Sequence, residues 1–120
     1  MSDQDQNGPQ PGDVELDAVG AFLMKAACEI EQRGWVKKKF CDRATGAVCA
    51  WGAIYAADGQ EKIHEQGWSV CSPTAEKAAA RLAVGLGLVN PQEIAVWNDC
   101  FARTQSEVTD AMRAAAKLKT

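Results

Sequence analysis

The stretch Ile94-Ala-Val-Trp-Asn-Asp-Cys-Phe-Ala-Arg-Thr-Gln-Ser-Glu-Val108 constrains this chain more than any other. One helix has to end inside it and another has to begin. Thr104 and Glu107 have the spacing of a capping box, in which the threonine hydroxyl accepts from the Glu107 N–H and the carboxylate returns to the Thr104 N–H. The helix before it should open at Asn90-Pro91-Gln92-Glu93, with Asn90 as N-cap and Pro91 in the first helical position. It closes on Asn98-Asp99, where an acid meets the negative end of the helix dipole and needs a compensating partner. Arg103 is the nearest cation in sequence. Trp97, Asn98, Asp99, Arg103, Thr104 and Glu107 are therefore the candidate polar cluster. The cluster is either a structural corner or a site that grips a polar ligand or a partner's backbone. The structural reading takes precedence, because capping and helix-end satisfaction already account for these residue types.

Upstream the spacing is helical in several places. Asp13 is placed to cap a helix whose first turn holds Glu15, and Leu16, Val19, Leu23, Ala26 and Ile30 recur at three- and four-residue steps, giving one buried face. Arg33-Gly34 ends that helix. Lys37-Lys38-Lys39 reads as a solvated charge run. Residues 40–48, turning through Asp42-Arg-Ala-Thr-Gly46, form a short β-hairpin or a plain loop, with Gly46 at a positive-φ position. A helix follows from about Val48 to Ala57, and its small residues Ala50, Gly52 and Ala53 admit a close neighbour. Residues 60–71 hold only Ile63, Trp68 and Val70 as sizeable apolar groups. Ser72-Pro73 is an N-cap and first helical residue, and Ala75, Ala78, Ala79, Leu82 and Leu86 line the helix after it. The last helix starts at Gln105 and repeats Val108, Ala111, Met112 and Ala115, with Lys117 and Lys119 at its negative end.

The pattern implies an all-α fold, a compact bundle of about five short helices. Residues 1–12 form a disordered polar tail and residues 13–120 a single helical domain. Four tryptophans in 120 residues imply that aromatic burial carries much of the core.

Composition narrows the function classes. The net charge of −3 argues against nucleic acid as the main partner. A helix-turn-helix built on residues 74–97 would read DNA with Gln92 and Glu93, without a cation before Arg103. The N-terminus has no basic and apolar run of the signal-peptide type, and no apolar run is long enough to span a bilayer, so the chain reads as cytoplasmic with no membrane partner. Five cysteines without a C-x-x-C spacing read as reduced thiols. Cys41, Cys49, His64 and Cys71 would offer three thiolates and an imidazole to zinc, but they lack the close ligand pair of structural zinc sites, and their bland reading is packing and loop thiols. A Cys–His64 nucleophile pair has no strand–turn–helix elbow to present it. No cofactor motif is present.

Arg33-Gly34-Trp35, Cys49-Ala-x-Gly52-Ala53 and Trp97-Asn-Asp99 with Arg103-Thr104-x-x-Glu107-Val108 together resemble a family of small proteins of unknown function from actinobacteria and their phages. The likeness runs over roughly residues 16–117 and departs at Val36, where the family carries cysteine, and in the loop around 60–72. It implies a compact fold and a bacterial or phage origin, and it brings no activity with it. By elimination, the expected role is a non-enzymatic protein-interaction or regulatory module whose partner is another protein, from the host or a second copy. The alternative is a small-molecule-binding protein or a thiol-dependent enzyme.

Overall fold

The computed structural model describes residues 16–59 and 72–118. The expected tail over 1–12, the cap at Asp13 with Glu15, the segment bearing Ile63, His64, Trp68, Val70 and Cys71, and Lys119 lie outside these residues. Among the described residues the fold is all-α: helices α1 (Ala18–Arg33), α2 (Ala50–Ala57), α3 (Pro73–Leu86), α4 (Glu93–Asn98) and α5 (Gln105–Ala116), with no strand. Helix α1 is the centre of the bundle. It packs against α5, α2 and α3, while α3 also meets α5, and α4 lies across α2 and α3. None of these helices is long and apolar enough to cross a membrane.

The periodicity of α1 places Leu23, Ala26 and Ile30 fully inside. Its cap is Asp17, whose Oδ1 accepts from the Gly20 N–H at 2.8 Å, so the helix opens later than the sequence pattern alone suggests. Gly34 follows Arg33 with φ 96° and donates its N–H to the Ile30 carbonyl at 2.7 Å, which closes the last turn. The capping box at Thr104 is present in both directions: Glu107 N–H to Thr104 Oγ1 at 3.3 Å, and Thr104 N–H to Glu107 Oε1 at 2.9 Å. Ser72 caps α3 as expected, accepting from the Ala75 N–H at 3.1 Å, and Asp58 Oδ1 accepts its hydroxyl at 2.6 Å, which ties the end of α2 to the start of α3.

Two expectations change, and at residues 40–48 the loop is the alternative that holds. Residues 40–48 do not make a hairpin of two strands. A single antiparallel bridge joins Cys41 to Val48, and the turn inside it is closed by Asp42 N–H to Ala47 O at 2.8 Å, with Gly46 at φ 82°. The pairing stops because Val48 also bridges Trp35 on its other side and Cys49 turns at once into the cap of α2. Helix α4 begins at Glu93, not Pro91. Asn90 contributes its carbonyl to the Glu93 N–H at 3.2 Å and Pro91 its carbonyl to Ile94 at 3.0 Å, a tighter i→i+3 entry that needs no side-chain cap.

The core is also less aromatic than composition suggests. Its largest fully buried side chains include Leu23, Ile30, Ile54, Leu82, Ile94 and Met112, whereas Trp35, Trp51 and Trp97 are only partly buried at its edge. Alanine-faced helices approach too closely to house an indole, and an indole N–H needs an acceptor. Trp51 Nε1 finds one in the Pro91 carbonyl at 3.0 Å. Backbone proximity is extreme at Gly52, where a Cβ would overlap the carbonyl of Phe40, so the neighbour admitted by this small residue is the 40–48 loop and not a helix.

Candidate functional site: the α4 corner

Asn98 is the node of the corner. Its side chain is fully buried on the last turn of α4. The amide oxygen accepts from Trp35 Nε1 at 2.7 Å and from the Ala50 N–H at 3.0 Å, and the amide nitrogen donates to the Val36 carbonyl at 3.2 Å and to Asp99 Oδ1 at 3.1 Å. Ala50 is the first residue of α2, so its N–H is one of the donors that a helix start leaves without an internal partner. One side chain thus satisfies a helix terminus, an indole and a loop carbonyl that lie 48 to 63 positions away from it in sequence.

Asp99 continues the seam. Its Oδ1 accepts from the Lys38 N–H at 2.8 Å. Lys38 is held at φ 70°, an unusual backbone for a residue with a Cβ. The ammonium of Lys37 donates to the carbonyls of Cys100 and Phe101 at 2.8 and 2.9 Å and lies 5.3 Å from the centre of the Trp35 ring. Lys37 therefore supplies the cation that the negative end of α4 calls for.

The expected Asp99–Arg103 pair is not formed, because the two side chains are drawn to different neighbours. Asp99 turns to backbone and amide N–H groups of the 36–38 loop and Asn98. Arg103 folds back over Trp97, its guanidinium carbon 4.1 Å from the ring centre, with Nε donating to the Trp97 carbonyl at 3.0 Å and Nη1 lying 3.6 Å from Glu107 Oε2. The structure brings all six candidate residues into one corner and shows the polar groups of Asn98, Asp99, Arg103, Thr104 and Glu107 turned on the protein itself. Sequence reasoning missed Trp35, Val36, Lys37 and Lys38, which approach from more than 60 positions away. The one available signal was the acid at a helix C-terminus: Asp99 does find compensating partners, but they are N–H groups and not a cation, while the cation, Lys37, goes to the carbonyls beyond the helix.

Exposed apolar side chains occur in the same stretch of chain: Phe101 is 98% exposed, Val89 90% and Val96 75%. Cys100 is exposed as well.

Of the thiol and imidazole groups considered in the sequence, His64 and Cys71 lie outside the described residues, and Cys41 and Cys49 are buried. Cys49 caps α2, its Sγ accepting from the Gly52 N–H at 3.4 Å, and burial pushes its thiol up to about 11, away from the thiolate a nucleophile requires. Away from the corner, a cavity of about 450 Å³ lies between α1 and α3, lined by Asp17, Val19, Lys77, Ala80, Arg81 and Val84. There the buried Arg81 makes a two-pronged pair with Asp17, Nη1 to Oδ1 at 2.8 Å and Nη2 to Oδ2 at 2.6 Å, while its Nε has no partner.

Comparison with curated proteins and with solved structures finds no match. A family model described as a family of unknown function, DUF6197, matches residues 15–118. The match takes in every described helix and the whole of the α4 corner, and the chain belongs to that family.

Proposed function

We propose that this chain is a non-enzymatic protein-interaction or regulatory module of the bacterial cytoplasm, from an actinobacterium or one of its phages, acting on another protein. The observation that supports this reading is the division of labour at the α4 corner. Asn98, Asp99 and Arg103 use their polar atoms on the chain's own backbone and side chains, while the phenyl ring of Phe101 stands 98% exposed beside them. Polar groups committed in this way build a platform, and an exposed aromatic on a platform is the kind of group that anchors protein interfaces. The test is affinity capture from a host lysate with wild type and Phe101→Ser in parallel. A protein retained by the first and lost by the second, at unchanged melting temperature, supports the reading. Turnover of a metabolite by the purified protein overturns it.

A second reading, small-molecule binding, draws on the cavity beside Arg81, where apolar Val19, Ala80 and Val84 face the cationic Lys77. Thermal-shift titration with small amphiphilic carboxylates, against Lys77→Ala, tests it.

A further inference from the structure

Among the described residues, Arg81 Nε is the one buried side-chain nitrogen or oxygen without a hydrogen-bond partner. Arg81 is only 4% exposed, and it lines the cavity between α1 and α3. Its guanidinium is engaged end-on, with Nη1 and Nη2 taking the two oxygens of Asp17. A guanidinium has a second edge, where the Nε–H points alongside an N–H of its neighbouring terminal nitrogen, and that edge is the one without an acceptor here. A buried donor left unmet is costly, so such a group calls for an acceptor. One turn before Arg81 on α3, Lys77 lines the same cavity, exposed and without an ion pair among the described residues. Two cations, Lys77 and Arg81, stand against one carboxylate, Asp17, and leave the lining with one positive charge. Glu76, next to Lys77 in the chain, does not line the cavity. The rest of the lining is Val19, Ala80 and Val84, and Val84 is 62% exposed.

We propose that this cavity binds a small monocarboxylate with an apolar tail. One carboxylate oxygen accepts from the Arg81 Nε–H, the other faces the Lys77 ammonium, and the tail covers Val19, Ala80 and Val84. This rests on the small-molecule reading and names the charge of the ligand and the atoms that recognise it. The Asp17 pair stays in place, because the five donors of a guanidinium serve two carboxylates on different edges. Charge selects the class. One negative charge matches the single surplus, whereas a phosphate monoester, carrying close to two at neutral pH, would set its second against the Asp17 carboxylate. A neutral amide would meet the Nε–H and leave Lys77 without a counter-ion. The volume, about 450 Å³, suits a metabolite-sized molecule.

The experiment is an NMR titration of the full-length protein with butanoate, hexanoate and octanoate, reading the Arg81 Nε–H signal and the Val84 methyl groups. Octanamide, octylamine and octyl phosphate are run alongside. The acids are repeated on Lys77→Ala and Val84→Ser, both at exposed positions where the core is untouched. The Arg81 signal should move downfield as the acids bind, and affinity should rise by up to about fourfold for each added methylene. Lys77→Ala should weaken octanoate about fivefold. Val84→Ser should flatten the dependence on chain length and leave the downfield shift in place. The proposal fails if the Arg81 signal stays where it is, if octyl phosphate binds more tightly than octanoate, or if the acids bind both variants as well as wild type. Octanamide or octylamine binding in place of the acids, with the same dependence on Val84, would remove the carboxylate and leave the small-molecule reading standing. If no compound perturbs either signal, both fall.

Discussion

Replacing Asn98 with alanine removes four hydrogen bonds at one fully buried position. The costs are unequal. The Ala50 N–H is left in the interior at the start of α2, with Ala50 itself fully buried, so water cannot replace the lost acceptor. An unsatisfied buried donor costs about 1–3 kcal/mol. The Trp35 indole N–H sits nearer the surface and can turn toward solvent, so its loss is closer to the net value of one hydrogen bond, about 1 kcal/mol. The bonds to Val36 and Asp99 contribute less, because both partners lie at the accessible edge of the seam. Together these give a loss of about 2–4 kcal/mol, equivalent to a drop in melting temperature on the order of 10–25 °C for a domain of this size. Urea denaturation followed by tryptophan fluorescence measures it directly, with the loss read from the midpoint at constant m-value. Trp35→Phe deletes the indole N–H together with part of the ring that packs on the core and lies under Lys37, so it also carries a packing loss. A loss below about 1 kcal/mol for Asn98→Ala would refute the assignment of Asn98 as the partner of the α2 terminus. Asn98→Asp adds a sharper test. It keeps an acceptor for Ala50 but sets a second carboxylate beside Asp99, so its stability should be low at neutral pH and recover as the pair takes up a proton on acidification.

Gly52→Ala drives a methyl group into the Phe40 carbonyl and should cost about 3 kcal/mol or more, seen as a lowered urea midpoint, because the obstacle is backbone and not a side chain that can swing away. The Asp17 carboxyl is held well below its ordinary 3.8, first by the hydrogen bond from Arg81 and then by the Gly20 N–H. A depressed carboxylate stabilises the fold above its unfolded value, and that contribution is lost as pH falls through the folded one. Wild type should therefore lose melting temperature steadily below about pH 4, and Asp17→Asn should lose less over the same range. Since Asp17 is more than half exposed, added salt should shrink the difference. Native thiol titration at mildly alkaline pH should modify the exposed Cys28 and Cys100 promptly and leave Cys49 unmodified until the protein unfolds, since its thiol is buried and its value raised to about 11.

What the sequence shows well is local. The capping box at Thr104, the Ser72-Pro73 start, the Arg33-Gly34 stop and the buried stripe Leu23–Ala26–Ile30 each depend on residues within a turn or two of one another, and each stands where the spacing puts it. What the sequence hides is reciprocal choice over distance. Asp99 has a cation four positions away and bonds instead to the backbone of Lys38, because Arg103 gains an indole face and a carbonyl by folding the other way. Lys37 looks like one of three solvated lysines until the end of α4 is laid across it. The tryptophans mislead for the same reason: their number suggests a core, but Trp35 and Trp51 lie where their N–H groups can be accepted, and that is at the rim.

The same reciprocity bears on function. A site that gripped a polar ligand through Asn98 and Asp99 would have to break the Ala50, Trp35 and Lys38 contacts before it gained any of its own, and the first of these lies in the interior. The exchange would recover little, because a ligand would replace hydrogen bonds already made. Binding at Phe101 carries no such penalty. Its backbone is already fixed by Lys37, and its ring has no contacts to surrender, so the ordering cost that weakens most small interfaces is largely met by the fold itself. Loosening the seam without touching Phe101 should therefore weaken partner binding. Lys37→Met, which keeps the stem over Trp35 but cannot donate to Cys100 or Phe101, isolates that effect from the loss of the ring. If Lys37→Met binds any captured partner as tightly as wild type in low and high salt alike, preorganisation of this corner has no part in recognition.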